Sequence, residues 1–361
     1  MTSLFDPIKL GAIDAPNRIL MAPLTRGRAT RSHVPTPLMG EYYSQRSSAG
    51  LIISEATGIS RQGLGWPNAP GLWSEEQALG WGAIVRAVHH AGGRIVAQLW
   101  HMGRLVHPDY LGGAQPVSAS ATTAPGQART EDGPKPYAES RALEPHEIGQ
   151  IIEDYKRAAK HAIAAGFDGV QLHAANGYLI DQFLRDGTNR RADGYGGSVE
   201  NRIRLLIEVT QALIGVAGAD RTSVRLSPND DPQGCADSAS ESLFTNVAEA
   251  LSVLRIAFLE MRASRPESTF RPATRQLVPA IRRAFKGVLI LNSDYSFDDA
   301  SQAVRSGSAD AIAFGRAFLA NPDLPARFAE RAALNAPNAN TFYTPGPPGY
   351  TDYPALARSV L

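Results

Sequence analysis

The stretch PHEIGQIIEDYKRAAKHAIAAGFDGVQLHAANGY, Pro145 to Tyr178, contains the pattern that decides the fold. Its first half sets Ile148, Ile151, Ile152, Tyr155, Ala159 and Ala162 along one helical face, and Gly166 offers a left-handed stop. Its second half, GVQLHAA (Gly169 to Ala175), is short and almost continuously apolar, as a strand covered on both faces of a parallel sheet must be. Polar residues, His173, Asn176 and Tyr178, cluster where that strand ends.

The same unit recurs in both directions. Strand-like runs read RILMAP (Arg18 to Pro23), LIISEAT (Leu51 to Thr57), RIVAQLWH (Arg94 to His101), SVRLSP (Ser223 to Pro228), IAFLEMR (Ile256 to Arg262), GVLILNS (Gly287 to Ser293) and DAIAFGR (Asp310 to Arg316). Between them lie further helices. Ser198 caps one that carries Ile203, Leu206, Val209 and Leu213, with Gly215 beyond its end. Thr274 precedes Leu277, Val278, Ile281 and Phe285, closing at Gly287; Ser296 precedes Asp298 and Asp299, acids that suit a helix N-terminus, closing at Gly307. Strand and helix alternating eight times in 361 residues predict an α/β fold, a (β/α)8 TIM barrel. A doubly wound open sheet would show G-x-G-x-x-G after an early strand, and no strand here is followed by one.

Length alone allows two or three domains at ~150 residues each. The barrel reading makes residues 1–361 one domain, with 102–144 as an insertion after the third strand and 335–361 as a C-terminal segment near the barrel mouth. The insertion exceeds the ~12–15 residues of an ordinary structureless loop, so it is expected to hold a small hairpin or lid.

Composition excludes several classes. With 36 basic and 35 acidic residues there is no basic field for nucleic acid or for a membrane surface. The lone Cys235 rules out a disulfide scaffold and any cysteine-based zinc or iron–sulfur site. No apolar run approaches the ~18 residues of a membrane span, and the start, MTSLFDPIKLGAID, has no signal-peptide pattern. The expectation is a soluble cytoplasmic protein.

A barrel places its chemistry at the C-terminal ends of its strands. Those ends carry Pro23-Leu24-Thr25, Glu55-Ala56-Thr57, Gln98-Leu99-Trp100-His101, His173, Arg225, Glu260 with Arg262, Asn292-Ser293, and Gly315-Arg316. Arg225 reads either as the partner of Glu55 or Glu260, or as a fixed cation facing a ligand that gains negative charge. Gly315-Arg316 with Asn292-Ser293 falls where these barrels bind phosphate. His173 and Asn176 are two donors able to converge on one oxygen, although a structural histidine followed by a helix-capping asparagine fits the same letters. Tyr178 keeps its proton at neutral pH and can deliver it to a carbanion. A metal on His101 and His173 lacks a third ligand. No lysine ends a strand, which disfavours a Schiff-base aldolase.

MAPLTRGRA (Met21 to Ala29), SEAT (Ser54 to Thr57), AQLWHMGR (Ala97 to Arg104), HAANGYLIDQFL (His173 to Leu184) and NRRADGYGGSVENRIRLL (Asn189 to Leu206) resemble motifs of the Old Yellow Enzyme family. So do VRLSP (Val224 to Pro228), FGRAFLANPDL (Phe314 to Leu324) and GYTDYP (Gly349 to Pro354). The resemblance implies non-covalent FMN and NAD(P)H as reductant. It implies a ping-pong ene-reductase that passes hydride from flavin N5 to the β-carbon of an enone, maleimide or nitroalkene. By matched position, His173 and Asn176 hold the substrate oxygen and Tyr178 protonates the α-carbon. Thr25, Gln98 and Arg225 bind the flavin ring, while Pro23, Leu24 and Ala56 line it. Asn292, Ser293, Gly315 and Arg316 hold the phosphate, and Trp100 and Tyr343 wall the substrate pocket. The resemblance implies small-molecule partners and a monomer or homodimer. The sequence departs from many members in reading LNSDY at the seventh strand's end; its donor pair is His/Asn where some relatives have His/His, both occurring in the family, and the stretch Asp230 to Ser242 matches nothing assignable. The alternatives are a non-catalytic barrel that binds a phosphorylated ligand and a metal-dependent hydrolase.

Overall fold

The computed structural model describes residues 2–264 and 276–357. Eight parallel strands form its centre: β1 (Ile19–Met21), β2 (Ile52–Ile53), β3 (Ile95–Trp100), β4 (Gly169–His173), β5 (Thr222–Leu226), β6 (Phe258–Arg262), β7 (Leu289–Asn292) and β8 (Ala311–Phe314). Each pairs with the next, and β8 returns to β1 through Ile312–Ile19, Ala313–Leu20 and Phe314–Met21, which closes the ring. All eight apolar runs read from the sequence are strands of this (β/α)8 barrel.

Helices α1 (Pro37–Ser44), α2 (Glu75–His90), α3 (Pro145–Ala164), α4 (Val199–Ala217), α5 (Ser240–Val253), α6 (Val278–Ala284), α7 (Phe297–Arg305) and α8 (Arg316–Ala320) follow the strands in turn. Their starts are chemically explicit. The Ser198 side chain accepts from Asn201 N–H, and Ser296 forms a reciprocal cap with Asp299. Thr274, expected to precede α6, lies outside the described residues. One expected end is corrected: α4 runs through Gly215 to Ala217 and stops at Gly218, whose φ is +90°. A mid-helix glycine costs only ~1 kcal/mol, and Ile214, Val216 and Ala217 all pack on the core around it. Gly218 supplies the left-handed turn the chain needs before β5.

Inside the ring, Leu20, Ala22, Leu51, Ile53, Val96, Phe258, Ile290, Ala311 and Ala313 form one buried cluster. A hairpin of Ile8–Leu10 and Ile13–Ala15 closes the lower end, adding Leu10, Ile13 and Ala15 to that cluster. Its turn needs Gly11, with φ +63° and room for no side chain: a Cβ there would stand 2.0 Å from the Asp220 carbonyl oxygen.

Between His101 and Pro145, Val117–Ser118 pairs in parallel with Arg141–Ala142, and Gln127–Thr130 pairs antiparallel with Gly133–Pro136. The expected hairpin is therefore present, and its Arg129 sits 4.3 Å over the Tyr343 ring at the barrel mouth. No helix among the described residues is long and apolar enough to cross a membrane.

Candidate active site

A cavity of about 340 Å³ opens at the C-terminal ends of the strands. Its wall gathers Pro23, Leu24 and Thr25 after β1, Tyr178 after β4, Arg225 on β5, Arg262 on β6, Asn292 and Ser293 at β7, and Gly315 and Arg316 after β8. Tyr343 and Phe342 from the C-terminal segment complete it, with Trp66 from the loop after β2. Ala56, Gln98, Trp100, His173 and Asn176 do not line this cavity, although Asn176 touches Arg262 on its wall. Trp100 and His173 meet the Tyr178 ring edge-on, at 5.0 Å and 4.8 Å between centroids. Ala56 packs in the same cluster as Trp100 and Tyr178.

The floor is a buried polar chain across five strands. Gln98 Nε2 donates to Gln171 Oε1 at 2.7 Å, and Gln171 Nε2 donates to Glu260 Oε2 at 3.0 Å. Arg225 Nε donates to Glu260 Oε1 at 3.1 Å, and Arg225 Nη2 to Asn292 Oδ1 at 2.8 Å. Asn292 Nδ2 donates in turn to the Ala313 carbonyl at 2.7 Å. Of the two acids that sequence offered Arg225, Glu260 is its partner. Burial pushes the Glu260 carboxyl up, opposed by Arg225 and Gln171. Glu55 instead accepts from Arg26 N–H and the Tyr43 hydroxyl, and burial raises it to about 7.

The polarity of this chain is forced. An ionised carboxylate only accepts, so Gln171 must turn its amide nitrogen to Glu260 and its oxygen to Gln98. Gln98 is left with one carbonyl and one N–H for whatever lies in the cavity.

At the opposite side the HAANGY turn is strained and braced. Asn176 and Gly177 have φ of +61° and +78°. The Ser227 hydroxyl accepts from Asn176 N–H at 2.7 Å, and Asp181 Oδ2 from Gly177 N–H at 2.9 Å. A Cβ on Gly177 would stand 2.6 Å from the Pro232 carbonyl oxygen, so the 230–242 stretch is the brace behind this turn. Cys235 lies buried there, its thiol pushed up to about 11 by burial. Burial, then Arg225 and Arg262, hold the His173 imidazole well below the usual histidine range, so it is neutral. Its Nδ1 accepts from Ala175 N–H at 3.4 Å, which puts the ring proton on Nε2. Burial raises the Tyr178 phenol above its ordinary value.

At the β7–β8 side, Gly315 heads α8, whose first N–H groups have no helical acceptor. The Arg316 guanidinium there contacts Asp294. The Asn292 amide is occupied at both ends by Arg225 and Ala313, and Ser293, Asp294, Gly315 and Arg316 are the side's other groups on the wall.

Two arginines hold the rim. Arg26 Nη2 donates to the Gly349 carbonyl at 2.6 Å, and Arg28 donates to the Phe342 and Thr341 carbonyls at 2.8 Å and 3.0 Å. Tyr42 and Tyr350 stack at 4.0 Å beneath them. Sequence reasoning missed Trp66, Phe342, Ser264, Gln171 and these clamps. Arg262 and Glu260 were visible as strand-end polar groups, but nothing in one sequence says what they face. A larger hollow of about 710 Å³ lies off the barrel mouth among Arg31, Arg61, Asp109, Glu131 and Asp132, and holds none of the strand-end groups. Among the described residues no group of three His, Cys, Asp or Glu is placed to hold a metal; His101 Nδ1 accepts from Gly103 N–H at 3.0 Å.

The family model of the NADH:flavin oxidoreductase / NADH oxidase family matches residues 3–335. The Old Yellow Enzyme homologue from Zymomonas mobilis is 59% identical and superposes with a TM-score of 0.97, over 98% of this chain and 100% of that one. Morphinone reductase, solved in complex with tetrahydroNAD, is 45% identical with a TM-score of 0.94, over 100% and 99% of the two chains. Putative 12-oxophytodienoate reductase 4 of Oryza sativa subsp. japonica is 42% identical over 360 residues, 98% of this chain and 93% of the relative. The strand-end cavity, with Arg225 and Tyr178 on its wall, thus belongs to a member of the NADH:flavin oxidoreductase / NADH oxidase family, an FMN-dependent, NAD(P)H-using oxidoreductase of the Old Yellow Enzyme type.

Proposed function

We propose that the protein reduces the C=C bond of α,β-unsaturated carbonyl, maleimide and nitro compounds, with Tyr178 as the proton donor. The observation that carries this reading is Tyr178 itself. Its phenol lies on the cavity wall, edge-on to His173, with its acidity suppressed by burial. The chemistry that FMN supplies when bound is hydride carriage, from NAD(P)H to the alkene's β-carbon.

The residues present fit that group. Gln98 keeps one acceptor and one donor for the pyrimidine edge, which offers both. Arg225, fixed by Glu260 and Asn292, places a permanent cation where a reduced ring is anionic. Thr25 donates to the ring, Pro23, Leu24 and Ala56 bound it, and Ser293, Gly315 and Arg316 with the Asn292 backbone hold the phosphate. Toward the substrate, His173 Nε2–H and the Asn176 amide hold the carbonyl or nitro oxygen and withdraw electron density from the alkene. Tyr178 delivers its proton to the α-carbon, and Trp100 and Tyr343 wall the pocket.

The purified protein should be yellow, bleach with NAD(P)H in the absence of oxygen, and recolour on adding 2-cyclohexenone. Tyr178→Phe should slow recolouring by the ~10²-fold or more that a positioned acid contributes, while bleaching keeps its rate. Equal loss of both steps would remove the acid role.

A further inference from the structure

An imidazole of known tautomer can only donate from one atom, but a side-chain amide can rotate. Asn176 serves as a donor only with Nδ2 toward the substrate; turned over, it would present an oxygen to an oxygen. Its backbone is already fixed in the left-handed region by the Ser227 hydroxyl. What remains is the amide's own orientation, and Arg262 sets it. Arg262 Nη1 lies 2.7 Å from Asn176 Oδ1. A guanidinium has donors and no acceptor, so the Asn176 atom facing it must be the carbonyl oxygen. Among the described residues nothing accepts from Asn176 Nδ2. Arg262 itself is steadied by Asp230 at 3.6 Å and lines the cavity on the same wall as Tyr178 and Arg225.

We propose that Arg262 is a positioning residue for alkene reduction: it locks Asn176 with Nδ2 as the donor and, by polarising the amide carbonyl, strengthens that N–H toward the substrate's oxygen. The inference rests on the reading of His173 and Asn176 as the substrate's donor pair. Charge develops on that oxygen as hydride arrives, so a stronger donor helps the transition state more than the ground state. Burial first, and Arg225 and Arg262 after it, lower the His173 pKa, so the second donor is neutral. Loss of Arg262 frees the amide to spend part of its time turned over.

The test uses FMN-loaded enzyme, reduced without oxygen and mixed with graded 2-cyclohexenone while flavin reoxidation is followed. Arg262→Met should lower the limiting rate of reoxidation divided by the half-saturating enone concentration about tenfold, mostly through the limiting rate, the size expected for a lost hydrogen bond to a charged group. Reduction by NADH is followed in parallel, and the enone step should lose more than the NADH step; an equal loss in both overturns the inference. Arg262→Lys keeps a cationic donor and should recover most of the loss. In an Asn176→Ala background, Arg262→Met should change little, because the group it acts through is gone. If Arg262→Met cannot hold FMN, Arg262→Gln, too short to reach Oδ1, takes its place in the cycle. An impaired Asn176→Ala beside an unimpaired Arg262→Met overturns the inference alone. So does an Arg262→Met loss as large without Asn176 as with it. An Asn176→Ala enzyme with wild-type reoxidation by enone overturns the donor-pair reading on which the inference stands.

Discussion

The floor and the rim of the cavity are held by opposite means. On the floor, Gln98, Gln171, Glu260, Arg225 and Asn292 come from five adjacent strands, and barrel register sets Gln171 beside Gln98 and Arg225 beside Glu260. Every one is buried, and each polar contact is side chain to side chain, apart from Asn292's bond to the Ala313 carbonyl. On the rim, Arg26 and Arg28 hold the C-terminal segment by its backbone carbonyls, and Arg129 lies over Trp66 and Tyr343. The floor therefore specifies charge and donor polarity, and a single change there leaves a partner stranded in low dielectric. The rim specifies only where a length of chain lies: Arg26 and Arg28 are buried but bind backbone carbonyls, and Arg129 and Tyr343 are exposed to water.

Arg225→Met breaks this contrast most severely. Removing one member of a buried pair costs ~3–5 kcal/mol, here by stranding Glu260. The deficit, read from urea unfolding, should shrink in acid: Glu260 then has a folded pKa raised above its unfolded value, so stability falls as pH rises through that interval. An Arg225→Met/Glu260→Met pair should recover part of the loss; no recovery would mean the two do not act as a pair.

Protons probe the buried interior in a second way. Burial depresses His101 from its ordinary 6.5 to about 3. The unfolded chain then takes up a proton below pH 6.5 that the folded chain refuses, so this residue destabilises the fold progressively down to pH 3. The expected effect is about 4 kcal/mol across that interval. His101→Asn should flatten this part of the stability–pH curve, and an unchanged slope would show that His101 is not its source.

The rim should answer more mildly. Arg28→Met removes charged hydrogen bonds to five carbonyls, those of Arg26, Thr341, Phe342, Gly346 and Pro348, but leaves the Arg26 side chain in place, and should lower stability by ~1–3 kcal/mol. Its sharper signature is faster proteolysis of the C-terminal segment with FMN affinity retained. Smallest is Arg129→Ala, a cation–π contact worth ~0.5–1 kcal/mol, which should shift enone KM by a few-fold and leave FMN binding alone. A loss of FMN on either rim change would collapse the distinction between the two regions.

The same distinction explains what the sequence disclosed. Strand ends are periodic, so Arg225, Gln98, Asn292 and Gly315 could be placed on one face of the barrel from letters alone, and all lie on the wall or directly beneath it. The cap residues Ser198 and Ser296 were legible because a serine before an apolar-periodic run has a local physical meaning. Gly215 misled for the same reason: the local rule favours a stop there, and tertiary packing of Val216 and Ala217 overrides it. Gln171 is hidden because a glutamine inside a strand announces nothing until its neighbours are known. Trp66 and Phe342 are hidden because no rule of spacing joins a loop after β2 to the chain's last turn. The 230–242 stretch had no reading at all, yet it presses on Gly177 and so bears on where Tyr178 points.

The rim clamps have a consequence for how the protein is made. Arg26 and the Phe342 carbonyl that it grips are 316 positions apart. Synthesis proceeds from the N-terminus, so a nascent chain still tethered to the ribosome holds two arginines ready while the carbonyls they will bind are not yet exposed. Ring closure needs β8, but the wall formed by Phe342 and Tyr343 needs some thirty further residues. The cavity thus acquires its floor before its roof.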